Sequence, residues 1–283
     1  MNMDKIKNFD LAPVEQAYSA RDTILYALGL GYGTDPLDES ELPFVFEANL
    51  KAVPSISCVL CHPGFWLQKP EYEADWVKIL HAEQFFEIHK PLPATGTLRG
   101  TYAVSAIEDK GAEKGALLYQ DKELYNAENG DLLATVRSTL FLRGDGGQGG
   151  FGEKATPAAK LPEGAPDRTL EFVTDVRSAL IYRLSGDWNP LHADPAVARK
   201  AGFERPILHG LCTAGIACRA ILQAYCDNDT ERLASMFVRF SSPVFPGETI
   251  RVEFYEGGDT LRFRAVAVER GVTVLDRCSA QLV

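Results

Sequence analysis

The sequence has no apolar run long enough to cross a membrane and no apolar leader at its start. No stretch reaches the roughly 18 uninterrupted apolar residues of a transmembrane helix. The first residues, MNMDKIKNFDLAPVEQ, lack the hydrophobic region of a signal peptide. The final AQLV is not a peroxisomal targeting sequence. These absences predict a cytoplasmic protein that does not bind membranes.

Positive charge is also scarce. The 29 Lys and Arg residues are outnumbered by 39 Asp and Glu residues, and the formal net charge is −10. No segment has Lys and Arg dense enough to form a basic surface for a polyanion, so nucleic acid is excluded as a partner. A few local basic groups could still bind a small anionic ligand.

The six cysteines lack the spacing of a disulfide framework, so we expect reduced thiols in the core. Residues 58–62 (CVLCH) match the C-x-x-C-H sequence of c-type haem attachment, but that chemistry requires an exported chain. A zinc site would need further Cys or His ligands at metal spacing, and none is nearby. We therefore expect no metal here and interpret the segment as a buried strand with a turn at Pro63-Gly64.

A segment rich in Gly, Pro and Ala divides the chain nearly in half. Residues 143–168, RGDGGQGGFGEKATPAAKLPEGAPDR, have almost no bulky apolar side chain, which is typical of a linker. We predict a first domain over residues 1–143, a linker over 144–168 and a second domain over 169–283. With 46% hydrophobic and 24% charged residues, the chain has the composition of a globular protein.

The linker contains a dinucleotide-binding pattern in the wrong context. Residues 147–152 (GQGGFG) match G-x-G-x-x-G, which binds a pyrophosphate only between a strand and the start of a helix. Pro157 and two further prolines follow, so no such helix can form. We therefore expect no nucleotide cofactor.

The two halves contain related segments. Residues 21–28 (RDTILYAL) and 177–184 (RSALIYRL) both predict short helices, and tandem duplication explains the pair. The correspondence then fails, because the second half continues to Asp187 and His192 whereas the first has Gly29-Leu30-Gly31. The second copy is therefore predicted to carry the chemistry.

Hydrophobic periodicity predicts an α+β fold. Residues 211–225 place apolar side chains at steps of three and four, which indicates a long helix with one buried face. Strand-like runs occupy residues 85–88, 98–107, 116–126 and 132–142 in the first half, and 237–240, 249–255, 260–268 and 272–282 in the second. One long helix per half with several antiparallel strands favours α+β over alternating βαβ units.

The segment SGDWNPLHADP, residues 185–195, places a carboxylate, an amide and an imidazole on a stiff backbone. Pro190 fixes its own φ and biases Asn189 toward an extended conformation. Asp194 and Pro195 predict a helix start just after His192. Asp187 and His192 are a candidate acid/base pair, although these residue types also form plain turns.

Gly210 is a candidate oxyanion donor. It lies at the predicted start of the long helix, where backbone N–H groups lack intrahelical partners and the helix dipole favours negative charge. An acid/base pair together with such a donor suits proton transfer next to a carbonyl group.

The chain resembles the MaoC-like dehydratases, in particular the eukaryotic-type hydratase 2. The resemblance begins with the run from Tyr182 to His192, followed by Ala198. It extends over nearly the whole chain through YALGLG at 26–31, LHAEQFFEIHKPLP at 80–93, GGQGGFG at 146–152, HGLCTAGIACRAIL at 209–222 and RFSSPVFPGETI at 239–250.

The resemblance implies a double hot-dog fold, in which each half wraps an antiparallel sheet around a long helix. It implies reversible syn addition of water to a trans-2-enoyl-CoA, giving the (3R)-3-hydroxyacyl-CoA, in a homodimer without a metal or redox cofactor. The catalytic residues would be Asp187, His192, Asn189 and Gly210. The CoA thioester would contact His81, Ala82, Lys110, Trp188 and Phe240.

The resemblance also implies that the first half is non-catalytic and accommodates the acyl chain. We expect Gly29-Leu30-Gly31 to open space for medium, long or branched chains. Three alternatives remain: a thioesterase, which would need a carboxylate on the long helix; a non-catalytic acyl-CoA-binding subunit; and a hydratase specialised for a sterol-derived or dicarboxylic CoA ester. Residues 211–225 contain no carboxylate, which argues against the first.

Overall fold

The computed structural model describes residues 1–283 and contains a single ten-stranded antiparallel sheet. The strands are β1 (Val14–Tyr18), β2 (Ile79–Ile88), β3 (Gly96–Asp109), β4 (Ala116–Asn126), β5 (Leu132–Leu142), β6 (Arg168–Val173), β7 (Leu233–Phe240), β8 (Thr249–Tyr255), β9 (Leu261–Ala267) and β10 (Val272–Leu282). Their order is β1-β3-β4-β5-β2-β7-β10-β9-β8-β6, so the two halves meet where β2 pairs with β7.

Six α-helices accompany the sheet: α1 (Met3–Lys7), α2 (Ala20–Gly29), α3 (Leu42–Val45), α4 (Ser178–Tyr182), α5 (Pro195–Lys200) and α6 (Gly210–Tyr225). Short 3-10 helices span Glu39–Glu41, Pro54–Cys58, Trp66–Gln68, Pro70–Tyr72, Trp76–Lys78, Arg183–Ser185, Pro190–His192, Thr230–Arg232 and Val268–Arg270. None of the helices is both long and apolar enough to span a bilayer.

The eight strand-like runs predicted from periodicity are all found, as β2–β5 and β7–β10, and the α+β class is confirmed. The bounds of β4, β5, β8 and β10 agree with the sequence pattern, because each strand is a continuous run ended by a turn. Strand β1 was not predicted. It is a five-residue edge strand with little alternation, and it pairs only with β3.

Helix α6 lies at the centre of the second half and is buried on all sides. Residues 212–222 are all buried, although the periodicity predicted only one buried face. The sheet covers one side, and the segment after α2 covers the other: a Cβ at Gly215 would lie 2.4 Å from the Cδ2 atom of Leu30. The absence of a side chain at Gly215 therefore lets the two halves approach closely.

The prediction of a long helix in each half is wrong for the first half. The 3-10 helix Pro54–Cys58 packs against α6, β2 and β5. The interpretation of residues 58–62 as a strand is also wrong, since these residues follow the 3-10 helix in a turn and Cys61 has φ +50°.

A buried lysine supports this short helix. The Nζ group of Lys122 on β4 donates to the carbonyl oxygens of Ser57, Cys58 and Leu60, at 2.7, 3.3 and 2.6 Å. These carbonyl oxygens therefore need no hydrogen-bond partner on a neighbouring strand, so this buried segment can remain outside the sheet. Burial lowers the pKa of Lys122 to about 8.

The expectation that Gly29-Leu30-Gly31 opens space is also wrong. Helices α2 and α4 pack together, and a Cβ at Gly29 would lie 3.3 Å from the Cα atom of Tyr182. Leu30 is 2% exposed, and a Cβ at Gly31 would lie 3.1 Å from the Arg219 guanidinium. The small residues allow close helix packing and leave no room for a ligand.

The Gly-rich segment after β5 is anchored to the sheet. The N–H groups of Gly147 and Gly149 donate to the Asp109 carboxylate at 2.8 Å each, and Gly111 N–H donates at 2.9 Å. These donors lower the pKa of Asp109. The next regular element is β6, so no helix follows the G-x-G-x-x-G sequence.

A buried ion pair ties α6 to the first half. The guanidinium of Arg219 donates through Nε and Nη2 to the carboxylate of Glu41, with Nε at 2.9 Å. Both side chains are buried, and the guanidinium lies 4.7 Å from the ring centroids of Tyr32 and Phe172. Glu41 also accepts from the N–H of Gly33 at 2.8 Å.

Replacing Glu41 should destabilise the fold, because it leaves the buried Arg219 charge without a partner. We expect Glu41→Ala to lower the free energy of unfolding by about 3–5 kcal/mol, measured by urea denaturation. The control is Glu204→Ala, which breaks the exposed pair with Arg205 and should cost at most about 1 kcal/mol. Equal effects of the two substitutions would contradict the role given to the buried pair.

Candidate active site

In the loop between α4 and α5, the side chains of Asp187 and Asn189 accept hydrogen bonds from backbone N–H groups of the same loop. The N–H of Asn189 donates to Oδ1 of Asp187 at 3.0 Å, and the N–H of Leu191 donates to Oδ1 of Asn189 at 3.0 Å. Gly186 has φ +125°, a value that side chains disfavour. Helix α5 then starts with Asp194 as its cap and Pro195 at its first position, as predicted. The loop is thus ordered by its own sequence.

The structure fixes which ring nitrogen of His192 is free. Nδ1 lies 2.8 Å from the carbonyl oxygen of Ile207, and since a carbonyl only accepts, Nδ1 carries the hydrogen. In the neutral ring Nε2 is then an acceptor. Burial lowers the pKa of His192, against the opposing effects of the Ile207 hydrogen bond and the Asp187 charge. Neutral His192 is therefore suited to act as a base.

His209 packs directly against His192. The ring centroids lie 3.7 Å apart with an interplanar angle of 28°, and His209 is 2% exposed. Its Nε2–H donates to the backbone carbonyl of Asp187 at 3.3 Å, and its buried Nδ1 has no partner. Burial and the neighbouring His192 keep the pKa of His209 well below the usual range. His209 therefore packs as a neutral ring against one face of the His192 imidazole.

The carboxylate and the two imidazoles form one cluster. One carboxylate oxygen of Asp187 and one ring nitrogen each of His192 and His209 lie within 4.8 Å of one another. Asp187 is exposed, whereas both histidines are buried. The predicted pair of Asp187 and His192 is therefore brought together.

Gly210 begins α6 directly after His209. Its N–H has no intrahelical acceptor, and it lies at the positive end of a 16-residue helix. A Cβ here would lie 3.1 Å from the ring of Phe240. A side chain at this position would therefore crowd the ring and the space in front of the N–H group.

These residues line one cavity of about 480 Å³ between the two halves. The second half contributes Asp187, Asn189, His192, Gly210 and Phe240. The first half contributes an apolar wall around residues 63–67 and 79–80 together with His81. The open space of the first half thus lies beside the short 3-10 helix Pro54–Cys58 and not at Gly29-Leu30-Gly31.

A β-bulge at Ala82 turns His81 into this cavity. The register with β5 shifts between His81 and Glu83, so His81 and Gln84 both line the cavity, which strict alternation would prevent. The His81 Nε2 atom lies 3.1 Å from the Glu83 carbonyl oxygen, and burial lowers the pKa of His81 to about 4. Ala82 itself does not line the cavity.

The sheet opens beside this bulge. Pairing of β2 with β7 ends at Glu83 and Arg239, and beyond it the rings of His81 and Phe240 lie 5.0 Å apart. Glu83 and Arg239 line a second cavity, of about 630 Å³, on the opposite face of the sheet. His81 and Phe240, which line the first cavity, therefore pack edge to face next to Glu83 and Arg239, which line the second.

Two predicted ligand contacts lie away from the acid/base pair. Lys110 lines the second cavity, where its Nζ pairs with Glu108 at 2.6 Å. Trp188 is 58% exposed, stacks with the guanidinium of Arg183 at 4.7 Å, and does not line the first cavity. Contact of Ala82, Lys110 and Trp188 with a ligand remains a prediction.

Two cavity residues, His209 and His62, were not predicted from the sequence. His209 directly precedes Gly210 within the helix-start motif, so its position could have signalled a role. His62 lines the cavity, where burial lowers its pKa, but its only signal was the C-x-x-C-H pattern, which pointed to haem. Neither contact with the cavity follows from spacing along the chain.

The ten-stranded sheet, its central helix and this acid/base site define a double hot-dog protein with a site for proton transfer. Residues 157–277 match the family model of the MaoC like domain, and residues 16–144 match that of the MFE-2 hydratase 2 N-terminal domain. The chain belongs to the MaoC-like hydratase 2 family, and the predicted double hot-dog fold is confirmed.

Similar proteins cover the whole chain. The peroxisomal enoyl-CoA hydratase 2 of Arabidopsis thaliana is 37% identical over 97% of this chain and 93% of its own length. The peroxisomal multifunctional enzyme type 2 of Mus musculus is 36% identical over 96% of this chain, which spans only 37% of that enzyme. The crystal structure of a MaoC-like dehydratase from Phytophthora capsici is 36% identical, with a TM-score of 0.87 over 100% of this chain and 99% of that one.

The charge of Asp187 should be visible in the titration of the two histidines. It raises the pKa of His192 and of His209, so Asp187→Asn should lower both further, because a nearby negative charge favours the imidazolium form. An NMR titration of the imidazole signals measures the change.

Asp121→Asn is the matched control. Asp121 pairs with Arg137 and directly follows Gln120 on β4. Because Gln120 lines the cavity and side chains alternate along a strand, Asp121 faces away from the cavity. Unchanged or raised histidine pKa values in Asp187→Asn would contradict the cluster.

Proposed function

We propose that this protein catalyses the reversible hydration of trans-2-enoyl-CoA to (3R)-3-hydroxyacyl-CoA. The observation that carries the proposal is the cluster of Asp187 and His192 in one cavity with the free N–H of Gly210. The membership of the chain in the hydratase 2 family supports the same reaction. The enzyme is accordingly a hydro-lyase of fatty acyl-CoA metabolism.

His192 takes the proton from water in the proposed mechanism. Its Nδ1–H is held by the Ile207 carbonyl, so Nε2 is the basic atom. The water oxygen bonds to C3 of the enoyl group, and its proton moves to Nε2. The imidazolium forms beside the Asp187 carboxylate, which stabilises it, and it returns a proton to C2. Asn189 orients the pair by capping the loop that carries it.

Gly210 supplies the electrophilic part of the mechanism. When water attacks C3, negative charge develops on the thioester oxygen. The free N–H at the start of α6 and the helix dipole stabilise that charge. The same interaction polarises the ground-state carbonyl, which makes C3 more reactive. A donor aimed at the developing oxyanion is typically worth about 10²–10³ in kcat.

We propose that the acyl chain binds in the first half, along the apolar wall formed by residues 63–67 and 79–80. This space exists because the first half has a five-residue 3-10 helix where the second has α6. A cavity of about 480 Å³ is of ordinary size for an organic ligand, so medium, long or branched chains are the proposed substrates.

The CoA portion is proposed to lie on the opposite face of the sheet, past His81 and Phe240, whose rings pack edge to face. The cavity on that face is lined by five cationic side chains and two carboxylates: Lys110, Arg137, Lys154, Arg239, Arg277, Glu83 and Glu108. Such an excess of positive charge suits the phosphates of CoA. This route supports contacts with His81, Ala82, Lys110 and Phe240, and leaves Trp188 at the rim.

No metal or redox cofactor is part of the proposal. Water addition needs a base, an acid and a polarised thioester, and the residues above provide all three. Two imidazoles and a carboxylate are also a donor set for Zn²⁺. However, the rings of His192 and His209 are stacked and nearly parallel. Their in-plane lone pairs therefore do not converge on one ion.

The assembly and the compartment are separate proposals. We propose a homodimer, which is consistent with the exposed apolar side chains of Leu28, Leu180 and Leu184 near the contact of α2 and α4. We keep the cytoplasm as the proposed compartment, although the Arabidopsis and mouse relatives are named peroxisomal.

The reaction is tested by incubating the protein with crotonyl-CoA, decenoyl-CoA and a branched enoyl-CoA in a buffer containing EDTA. We expect loss of the conjugated enoyl absorbance with the two larger substrates and a 3R product by chiral analysis. Turnover of the four-carbon substrate alone would contradict the acyl-chain proposal. Binding of all three without turnover would indicate a non-catalytic acyl-CoA-binding protein.

Removing either member of the acid/base pair should abolish most turnover. We expect Asp187→Asn and His192→Ala each to lower kcat at least about 100-fold, while the circular dichroism spectrum stays unchanged. Asp194→Asn is the matched control in the same loop, since its carboxylate caps α5 and does not line the cavity. Near-normal kcat in either variant of the pair would contradict the assignment.

A further inference from the structure

Three polar side chains form a row across the cavity wall of the first half. Gln120 on β4, Ser138 on β5 and Gln84 on β2 are direct partners in the strand register, and all three line the cavity. Gln84 and Gln120 are 3% and 8% exposed. Buried polar side chains in the wall of an apolar cavity are costly unless their hydrogen bonds are satisfied, so each group needs a partner.

Most of these groups are satisfied within the chain. Gln84 Nε2 donates to the carbonyl oxygens of Phe85 and Arg137, at 3.1 and 3.0 Å. Gln84 Oε1 accepts from the hydroxyl of Ser138 at 3.0 Å. Gln84 is therefore fully engaged, and the Ser138 oxygen keeps its lone pairs free for another donor.

The amide nitrogen of Gln120 is the exception. Its Oε1 accepts from Nε1–H of Trp66 at 2.5 Å. Because the indole N–H can only donate, this bond fixes which end of the amide is the oxygen. Nε2 has no partner in the chain, and the remaining exposure of this mostly buried side chain opens on the cavity that it lines. An N–H donor therefore faces the cavity beside the Ser138 acceptor.

We propose that this row, Gln120 with Ser138, is a subsite for an oxygen atom on the acyl chain. The inference rests on the proposed hydratase function and specifies its substrate as an enoyl-CoA whose chain carries a hydroxyl or keto group. A hydroxyl would accept from Gln120 Nε2 and donate to Ser138 Oγ. A keto oxygen would accept from Gln120 alone.

The surroundings select a neutral oxygen over a carboxylate. No Lys or Arg side chain lines this cavity. Nearby Lys122 uses its Nζ on three backbone carbonyls, and burial lowers the pKa of His81 to about 4. An anionic chain end would therefore enter without a counter-ion, which is costly in a desolvated cavity.

The subsite lies well beyond the reacting carbons. Gln120 is two strands away from Gln84, which corresponds to about 10 Å across the sheet. Gln84 is on β2, the strand that also carries His81. The oxygen would thus be recognised on the distal part of the chain, away from the enoyl group that Asp187 and His192 act upon.

The test compares matched enoyl-CoA substrates of equal length that are unsubstituted, hydroxylated or keto-substituted at successive distal carbons. Wild type, Gln120→Glu and Gln120→Met are assayed for kcat/KM on each. Gln120→Glu keeps an acceptor for Trp66 and so preserves that contact if Gln120→Met does not fold. Gln68→Glu, the same substitution at an exposed position, is the control.

We expect wild type to prefer one oxygenated isomer, and Gln120→Glu to lower kcat/KM for the keto form roughly tenfold, the size of one lost hydrogen bond. The hydroxyl form should lose less, since a carboxylate can accept from it. The ratio of kcat/KM for the oxygenated chain to that for the unsubstituted chain is the readout, and it should fall by the same factor even if the unsubstituted value also changes. An equal effect on all three substrates, or no preference in wild type, would overturn the subsite. Failure of every substrate to react would instead reject the hydratase proposal.

Discussion

The antiparallel pairing of β2 with β7 is the contact on which the rest of the molecule depends. It joins two half-sheets into one, and it places the loops of the second half against the wall of the first. The pairing also ends early, at Glu83 and Arg239. Beyond that point the rings of His81 and Phe240 pack edge to face, and the two cavities lie on opposite faces of the sheet beside them.

The two halves have diverged around this shared junction. The second half keeps α6 and uses its first N–H at the site, while the first half replaces the equivalent helix with the 3-10 helix Pro54–Cys58. Burying Lys122 is costly, but its three hydrogen bonds satisfy carbonyls that a shortened helix would leave unpaired. The space gained lies directly opposite the acid/base pair. Loss of a helix in one copy thus provides room for a ligand in the other.

The site combines a self-ordered loop with a buried wall. Asp187 and Asn189 cap the backbone that carries His192, and the Ile207 carbonyl fixes the ring tautomer. His209 stacks behind His192 and keeps water from that face of the ring. Local sequence therefore sets the loop, and contacts distant along the chain set the protonation state of the imidazole.

The sequence alone determined eight of the ten strands, helix α6 and the capped loop that carries Asp187 and His192, because those features depend on periodicity, turn residues and caps that act over a few positions. It did not determine the 3-10 helix at Pro54–Cys58, which depends on Lys122 from 64 or more positions away. Nor did it predict the position of His209, the contact of His81 with Phe240, or the polar row at Gln120. Only the tertiary structure decided these, because burial and strand register bring together side chains whose spacing along the chain has no pattern.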